Sequence, residues 1–186
     1  LNPMKGEKIL DACSAPGSKT THLAALANDD AEILAVDRSE KRLKILQSNL
    51  ERLNIKSVKT FKADATTLIN IKPKFLSYFD KILIDAPCSG IGTFARNPDI
   101  RWSLSKDKIN QLILLQEKLL ETIFPLLKRN GTLVYSTCTI CPEENNLLIK
   151  KFLSKYKELK LDTERQILPR FDKPGDGFYA AKISYK

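Results

Sequence analysis

Two short motifs carry cysteines whose setting suits nucleophilic chemistry. Residues 85–90 read D-A-P-C-S-G and residues 137–145 read T-C-T-I-C-P-E-E-N, and each motif begins where a short apolar run ends. A thiolate near cationic groups or a helix N-terminus is a strong nucleophile. Because loops that follow neighbouring strands of an α/β sheet can lie side by side, we expect Cys88 and Cys138 to face each other across a cleft.

Four aspartates form a second pattern, since each stands at or near the end of a predicted strand. They are Asp11, Asp37, Asp64 and Asp85. Open α/β sheets bind ligands outside the carboxyl ends of their strands. A single aspartate in such a place could simply cap the next helix, whereas four in one sheet favour a ligand site.

The turn after the first predicted strand is built from small residues. Residues 11–19 read D-A-C-S-A-P-G-S-K, so a ligand can approach the backbone and the N–H groups that open the next helix. The pattern is neither G-x-G-x-x-G nor a P-loop, and a tight turn without a ligand is the alternative. Asp37 is placed to accept hydrogen bonds from both hydroxyls of a ribose. This arrangement suits an adenosine cofactor without a pyrophosphate, and S-adenosylmethionine fits.

The elements that must position these residues alternate between short apolar runs and longer helical patterns, which is typical of βαβ units and a parallel sheet. Strands are predicted at residues 8–12, 32–36, 58–63, 81–84, 132–136 and 178–183, the last after a turn over 174–177. Helices are predicted at 19–27, from an N-cap at Ser39 to 53, from an N-cap at Ser105 to 127, and from Pro142 to 155. The lysines at 150, 151, 155, 157 and 160 are interpreted as a solvated helix face.

Length and composition favour one globular domain. The chain has 186 residues, of which 42% are hydrophobic and 28% charged, values that argue against disorder and against a membrane span. The 31 Lys and Arg outnumber the 22 Asp and Glu, which gives a net charge of +9. A basic domain suits nucleic acid, although a lysine-rich solvated surface is the alternative reading. The first residues show no signal peptide, so reduced thiols and a cytoplasmic location are expected.

The scarcity of histidine excludes several kinds of site. With His22 as the one histidine, a two-histidine zinc site cannot form, and a Ser-His-Asp triad would have to use that residue. We interpret His22 as an ordinary helix residue and expect no metal. Cys138 and Cys141 form a C-x-x-C pattern, which leaves a redox pair, a disulfide or half a zinc site as alternatives.

Taken together, D-A-C-S-A-P-G-S-K-T, D-A-P-C-S-G-I-G-T and S-T-C-T-I-C-P-E-E-N resemble the NOL/NOP/Sun-type RNA cytosine-5 methyltransferases, most closely the RsmB/Sun (Fmu) branch that methylates 16S ribosomal RNA. The resemblance implies a class I methyltransferase fold: a Rossmann-like, mostly parallel seven-stranded sheet with helices on both faces and an antiparallel last strand. It also implies that residues 1–186 are a catalytic domain, without the N-terminal RNA-binding domain that the family usually carries.

The resemblance implies roles for three residues in the reaction. Cys138 would add to C6 of the cytosine, and Asp85 would hold or protonate the base at N3. Cys88 would help to remove the C5 proton or release the product. Cytosine C5 is a poor nucleophile until a group adds at C6, so a thiolate is needed, and the base must leave its stack to be reached.

The resemblance also implies a set of contacts to S-adenosylmethionine, whose product is S-adenosylhomocysteine. These are Cys13, Ser14, Ala15, Pro16, Gly17, Ser18 and Lys19 in the turn, with Asp37, Arg42, Asp64 and Asp85. Asp37 would bind the ribose with support from Arg42. Asp64 would lie near the adenine and Asp85 near the methionine part.

The expected partner is a ribosomal RNA substrate, bound by a monomer with no membrane attachment. Transfer RNA as the substrate and a non-catalytic RNA-binding domain are the alternatives. Arg96 and Arg101, which follow Cys88 closely, are placed to contact phosphate. Trp102 could be a core residue or a platform near the base, and the core is favoured.

Overall fold

A computed structural model describes residues 1–169, 172 and 175–186. The strands within these residues are β1 (Lys8–Asp11), β2 (Glu32–Asp37), β3 (Val58–Lys62), β4 (Phe79–Asp85), β5 (Leu127–Thr137), β6 (Leu159–Ile167) and β7 (Phe178–Tyr185). Over the described residues they form a seven-stranded sheet in the order β3-β2-β1-β4-β5-β7-β6. β1 pairs parallel with β2 and β4, β2 pairs parallel with β3, and β7 pairs antiparallel with β6. The predicted fold class is confirmed.

The helices are α1 (Ser18–Leu26), α2 (Glu40–Arg52), α3 (Leu68–Ile71), α4 (Ile100–Ser103), α5 (Lys106–Ile123) and α6 (Asn146–Lys155). Both predicted serine caps are confirmed. The Ser39 hydroxyl accepts the Arg42 N–H at 3.3 Å, and the Ser105 hydroxyl accepts the Lys108 N–H at 3.2 Å. Each cap satisfies a backbone donor that the first turn of a helix leaves without an intrahelical partner.

The described chain divides into two compact units. The first unit comprises residues 1–85 and 122–133, and the second comprises 86–121 and 134–186. In the first unit, α2 buries Leu43, Leu46 and Leu50 together with Ala35 of β2. These leucines recur at the three- and four-residue spacing that puts them on one helix face.

The second unit has a core of its own. The rings of Tyr135 and Tyr179 meet edge to face with their centroids 6.5 Å apart. Helix α6 buries Leu148, Ile149 and Phe152. On the exposed side of α6, Lys151 and Lys155 form ion pairs with Glu117 and Glu121, respectively, of α5. Such surface pairs contribute little, so the apolar face holds this helix in place.

The largest boundary differences from the prediction lie between residues 123 and 146. The helix predicted to reach residue 127 ends at Ile123, because Pro125 lies in a 3-10 turn and β5 begins at Leu127. β5 is therefore longer than predicted. The helix predicted from Pro142 begins as a 3-10 turn, Pro142–Glu144, and α6 follows.

β6 has no counterpart among the predicted strands. α6 ends at Lys155, so Lys157 and Lys160 are not on a helix face, and Lys160 belongs to β6. Of the nine residues of β6 only Leu159 is buried. A strand without alternating buried side chains gives no period-two signal. Pro174, in the predicted turn, lies outside the described residues.

No helix in the described part of the chain is both long enough and apolar enough to span a membrane.

Candidate active site

The turn between β1 and α1 is shaped by its backbone. The Ser14 N–H and hydroxyl both donate to the Val36 carbonyl, at 2.9 and 3.1 Å. Gly17 has φ of +110°, and a Cβ there would lie 2.4 Å from Leu46 Cδ1. Only glycine meets both demands, since it has no Cβ and adopts positive φ readily. The small-residue turn predicted as a ligand loop is therefore held open at the start of α1, with Pro16 and Ser18 exposed.

Asp37 fixes this turn from the end of β2. One oxygen of its buried carboxylate accepts the Ala15 N–H at 3.2 Å, and the other accepts the Ser39 N–H at 2.8 Å. Arg42 lies 3.4 Å from the same carboxylate and also donates to the Ala15 carbonyl. The structure thus brings together the acidic residue expected to bind a ribose and the arginine expected to support it.

Asp11 is a fully buried carboxyl group below the turn. The Thr20 hydroxyl donates to its Oδ2 at 2.7 Å, while Oδ1 has no hydrogen-bond partner among the described residues. Burial is the main cause that raises the pKa of Asp11 to about 7. Burial also raises the pKa of the neighbouring Cys13 well above that of an ordinary thiol, so Cys13 keeps its proton and is not a nucleophile.

The other two predicted carboxylates have different settings. Lys19 lies 2.7 Å from Asp85 at the end of β4, so the turn and this strand end are joined by an ion pair. Asp64 Oδ1 accepts the N–H and hydroxyl of Thr66 at 2.9 and 2.8 Å, which caps a 3-10 turn. The capping alternative considered for these aspartates thus applies to Asp64.

These residues fit a nucleoside cofactor without phosphate. The buried Asp11 oxygen without a partner can accept a hydrogen bond, and the Asp37 oxygens each retain a lone pair for a hydroxyl. The Asp37 and Asp85 carboxylates, which bond to Ala15 and Lys19 of the turn, disfavour a phosphate and suit a cationic sulfonium or an amino group.

Cys88 and Cys138 are in contact in the second unit. Their sulfur atoms lie 3.4 Å apart, as expected from the positions of the two motifs. The hydrogen bond with Cys138, and after it burial, raises the pKa of the Cys88 thiol far above its usual range. One of the two thiols donates to the other sulfur in this contact, and either can be the donor.

Arg96 provides the cation near this pair. Its hydrogen bond with Asp176 is the main cause that raises the pKa of the Arg96 guanidinium, and the charge of Cys138 adds to it. Arg96 thus interacts electrostatically with Cys138 as well as with Asp176.

Glu144 holds the two cysteine motifs together, which sequence reasoning did not assign. This fully buried carboxylate accepts the Ser89 N–H at 2.9 Å and the Gln116 side-chain amide at 2.9 Å, both at Oε2. Gln116 also donates to the Pro87 carbonyl at 2.8 Å. Ser89, after Cys88, is thus bonded directly to Glu144, and Pro87, before Cys88, is linked to Glu144 through Gln116. Gln116 could have been identified from the sequence, because it is a polar residue on the apolar side of α5.

Further hydrogen bonds link the same two motifs. The Ser89 and Thr139 hydroxyls lie 2.8 Å apart, and the Gly92 N–H donates to the Cys138 carbonyl at 3.1 Å. Asn145 receives the Thr137 hydroxyl at 2.6 Å and donates to the Thr139 carbonyl at 3.0 Å. The sulfur contact therefore rests on a network of buried polar groups that rigidifies both loops.

One prediction from the sequence is wrong at this point. Trp102 is not in the core, because 86% of its surface is exposed. The alternative of a disulfide between Cys138 and Cys141 is not seen, since both cysteines are free and the Cys141 thiol donates to Glu143 at 3.0 Å. Burial raises the pKa of Cys141 to about 11.

His22 lies on α1, as expected. Over residues 1–169, 172 and 175–186, no group of three or more His, Cys, Asp or Glu side chains has the geometry of a metal site.

Comparison with known proteins agrees with this architecture. The family model described as 16S rRNA methyltransferase RsmB/F matches residues 1–184. The ribosomal RNA small subunit methyltransferase B of Photorhabdus laumondii is 42% identical over 99% of this chain and 43% of its own length. The chain thus spans less than half of that relative.

Two solved structures from Pyrococcus horikoshii are also similar. NSun6 with SFG has a TM-score of 0.86 and 32% identity over 98% of this chain and 49% of its own. A methyltransferase homologue has a TM-score of 0.84 and 33% identity over 100% of this chain and 64% of its own. With a turn that fits an adenosine cofactor and a paired-cysteine site, the chain belongs to the 16S rRNA methyltransferase RsmB/F family.

Proposed function

We propose that this chain transfers a methyl group from S-adenosylmethionine to C5 of a cytosine in 16S ribosomal RNA through a covalent Cys138–C6 adduct. The observation that carries the proposal is the contact between Cys88 and Cys138, in which one sulfur donates and the other accepts. Membership of a 16S rRNA methyltransferase family supports the substrate class. Such a substrate implies the cytoplasmic location expected from the sequence, and the monomeric state stays a prediction.

The turn from Cys13 to Lys19 and Asp37 would hold the cofactor, with the Asp37 carboxylate on the ribose hydroxyls and Arg42 fixing that carboxylate. Asp64 would lie near the adenine and Asp85 near the methionine part. The similar NSun6 was solved with SFG, an analogue of S-adenosylmethionine. The bound cofactor supplies an electrophilic methyl group.

The proposed reaction assigns a step to Cys138, Asp85 and Cys88. The Cys138 thiolate adds to C6, while Asp85 holds or protonates N3 so that the ring takes up the electron pair. Electrons returned from the ring make C5 nucleophilic, and C5 takes up the methyl group as the sulfur–methyl bond breaks and its electron pair leaves with S-adenosylhomocysteine. A base then removes the C5 proton, and the C6–S bond breaks to release Cys138 as a thiolate. Cys88, in contact with that sulfur, would assist this last stage.

The positive charge of the chain supports an RNA substrate. A net charge of +9 attracts a polyanion at long range. The target base must be unstacked, and single-stranded or looped RNA allows this at low cost.

Single-cysteine variants test the mechanism. With 16S rRNA and methyl-labelled S-adenosylmethionine, we expect Cys138→Ala to lower methyl transfer at least about a thousandfold, because no other group can add at C6. We expect Cys88→Ala to accumulate a covalent protein–RNA adduct, detected as a slower band on a denaturing gel. Transfer RNA serves as the comparison substrate.

Cys141→Ala is the matched control, since its thiol contacts Glu143 and not the pair. An adduct that persists in Cys138→Ala would contradict the assignment of the nucleophile. Methylation at a position other than C5, identified by nucleoside mass spectrometry, would contradict the reaction itself.

A further inference from the structure

Trp102 is the most exposed of the large apolar side chains in the described residues. It lies on the short helix α4 with 86% of its surface accessible, whereas Phe94, the other aromatic of this segment, is 39% exposed. Trp102 is also the only tryptophan of the sequence. An exposed indole ring gains none of the free energy that burial of its apolar surface would give, so its exposure points to a binding role.

A shallow cleft adjoins this ring. It has a volume of about 180 Å³ and is lined by Phe94, Pro98, Arg101 and Trp102. Pockets for drug-sized ligands begin at roughly 300 Å³, so this cleft suits one flat ring more than a whole cofactor. The lining combines aromatic rings with a guanidinium, which is the composition of a base-stacking surface.

The segment that carries Trp102 is fixed to the loop of Cys88. Thr93 donates from its hydroxyl to the Gly90 carbonyl at 2.8 Å and accepts the Asn97 side-chain amide at 3.0 Å. Ile100 of α4 packs so closely on Gly90 that a Cβ there would lie 3.3 Å from Ile100 Cδ1. Trp102 is therefore held in a defined position relative to a residue of the cysteine pair.

The charge around the ring favours a polyanion over an apolar protein surface. Arg101 is exposed beside Trp102, and Arg96, with its ion pair to Asp176, lies on the same segment. An arginine next to an exposed aromatic ring can contact phosphate while a base stacks on the ring.

We propose that Trp102 is a stacking platform for a nucleobase that neighbours the target cytosine in single-stranded RNA. The inference rests on the RNA substrate of the proposed function. When the target base leaves its stack, its neighbour loses a stacking partner. The exposed indole replaces that partner, and Arg101 contacts the adjoining phosphate.

Intrinsic fluorescence tests the proposal directly, because emission from this chain comes from one tryptophan. The chain is titrated with a single-stranded oligoribonucleotide that contains cytosines, with S-adenosylhomocysteine present throughout. We expect saturable quenching of the Trp102 emission. Arg101→Gln should keep the quenching but weaken binding and lower the salt dependence by about one charge.

Steady-state kinetics on the same RNA provide the second measurement. We expect Trp102→Ala to raise the KM for RNA roughly tenfold, with kcat and the affinity for S-adenosylmethionine within about twofold. Trp102→Phe should recover part of the loss, because a phenyl ring also stacks. Leu114→Ala is the matched control, since Leu114 is 65% exposed on α5 and should leave both constants unchanged.

Trp102 emission that RNA does not alter would overturn the proposal. Emission that changes only with protein concentration would also overturn it, and would indicate that a second copy of the chain covers Trp102. An unchanged KM in Trp102→Ala would likewise overturn the proposal. The proposed function is tested separately. If the wild type made no 5-methylcytosine but RNA quenched Trp102, the reaction would be wrong and the platform would stand. If the wild type made 5-methylcytosine but RNA did not quench the Trp102 emission, only the proposed stacking role of Trp102 would be wrong.

Discussion

The turn between β1 and α1 in the first unit and the cysteine pair in the second are stabilised in different ways. In the turn, the residues expected to bind the ligand also hold the site, since Asp37 accepts two backbone N–H groups and Lys19 pairs with Asp85. At the cysteine pair, neither sulfur fixes the geometry. Glu144 and Gln116 do so through the backbone on either side of Cys88.

This difference predicts different responses to substitution. In the turn, removal of a binding group should weaken the ligand and the local structure together. At the cysteine pair, chemistry and structure should separate, because the residues proposed to react are not those that position the loops. The following predictions test that separation, from the largest expected free-energy effect to the smallest.

The largest effect should come from Asp11 in the turn. Because burial raises the pKa of Asp11 from 3.8 to about 7, the folded chain keeps a proton that the unfolded chain loses between pH 4 and 7. The free energy of unfolding should therefore fall as pH rises through that window, by up to about 4 kcal/mol. Urea unfolding of the wild type and of Asp11→Asn at several pH values measures this contribution as their difference.

Thr20→Val gives a matched comparison, since the Thr20 hydroxyl lowers the pKa of Asp11. Its loss should move the same decline to higher pH. If the stability curves of the wild type and Asp11→Asn ran parallel from pH 4 to 7, the raised pKa would be wrong.

Next in size is Glu144→Ala at the cysteine pair. It removes the acceptor of the Ser89 N–H and one of the two acceptors of the Gln116 amide, which should lower the free energy of unfolding by about 3 kcal/mol. Methyl transfer should fall at least about a hundredfold, whereas calorimetry should show an unchanged affinity for S-adenosylmethionine. Glu144→Gln, which keeps one acceptor oxygen, should recover part of both losses.

Glu143→Ala is the control for this variant, because Glu143 lies on the same 3-10 turn but is exposed. We expect no measurable change in stability. A Glu144→Ala variant that retained full methyl transfer would remove Glu144 from the support of the cysteines.

Asp37→Ala should have a smaller effect. Among the reactants, it should weaken the binding of S-adenosylmethionine and leave the binding of RNA unchanged. The loss of hydrogen bonds between a carboxylate and the ribose should weaken S-adenosylmethionine binding about 10- to 100-fold in calorimetry. Glu40→Ala, an exposed neighbour paired with Lys62, is the control and should bind normally. Equal binding by wild type and Asp37→Ala would place the ribose elsewhere.

The smallest effect is expected for Cys141→Ser. The thiol of Cys141 contacts Glu143, a bond that a hydroxyl can replace. Methyl transfer under reducing conditions should change less than about twofold. A large loss would show that Cys141 takes part in the chemistry after all.

The motifs themselves were sufficient to predict much of the site. The sulfurs of Cys88 and Cys138 are in contact as expected, because each motif follows the end of a strand. Asp37 and Arg42 meet at the turn as expected. The caps at Ser39 and Ser105 were predictable because capping depends on residues only three apart.

Other features depended on contacts between distant residues. Trp102 was placed in the core from its residue type, although exposure depends on what packs over a side chain. β6 was missed because it is largely exposed and carries no alternation of buried residues. The role of Glu144 could not be read from its motif, since its partners Ser89 and Gln116 come from other parts of the chain.

The sequence by itself determined six of the seven strands, the glycine turn and the two cysteine motifs, because these depend on local periodicity and on residue types within a few positions. Only the tertiary structure decided which titratable groups are buried, and therefore which of them stay protonated. Asp11 and Cys88 owe their raised pKa values to burial and to neighbours brought together by folding. Desolvation and hydrogen bonding act through space, so the protonation of these groups follows from the fold.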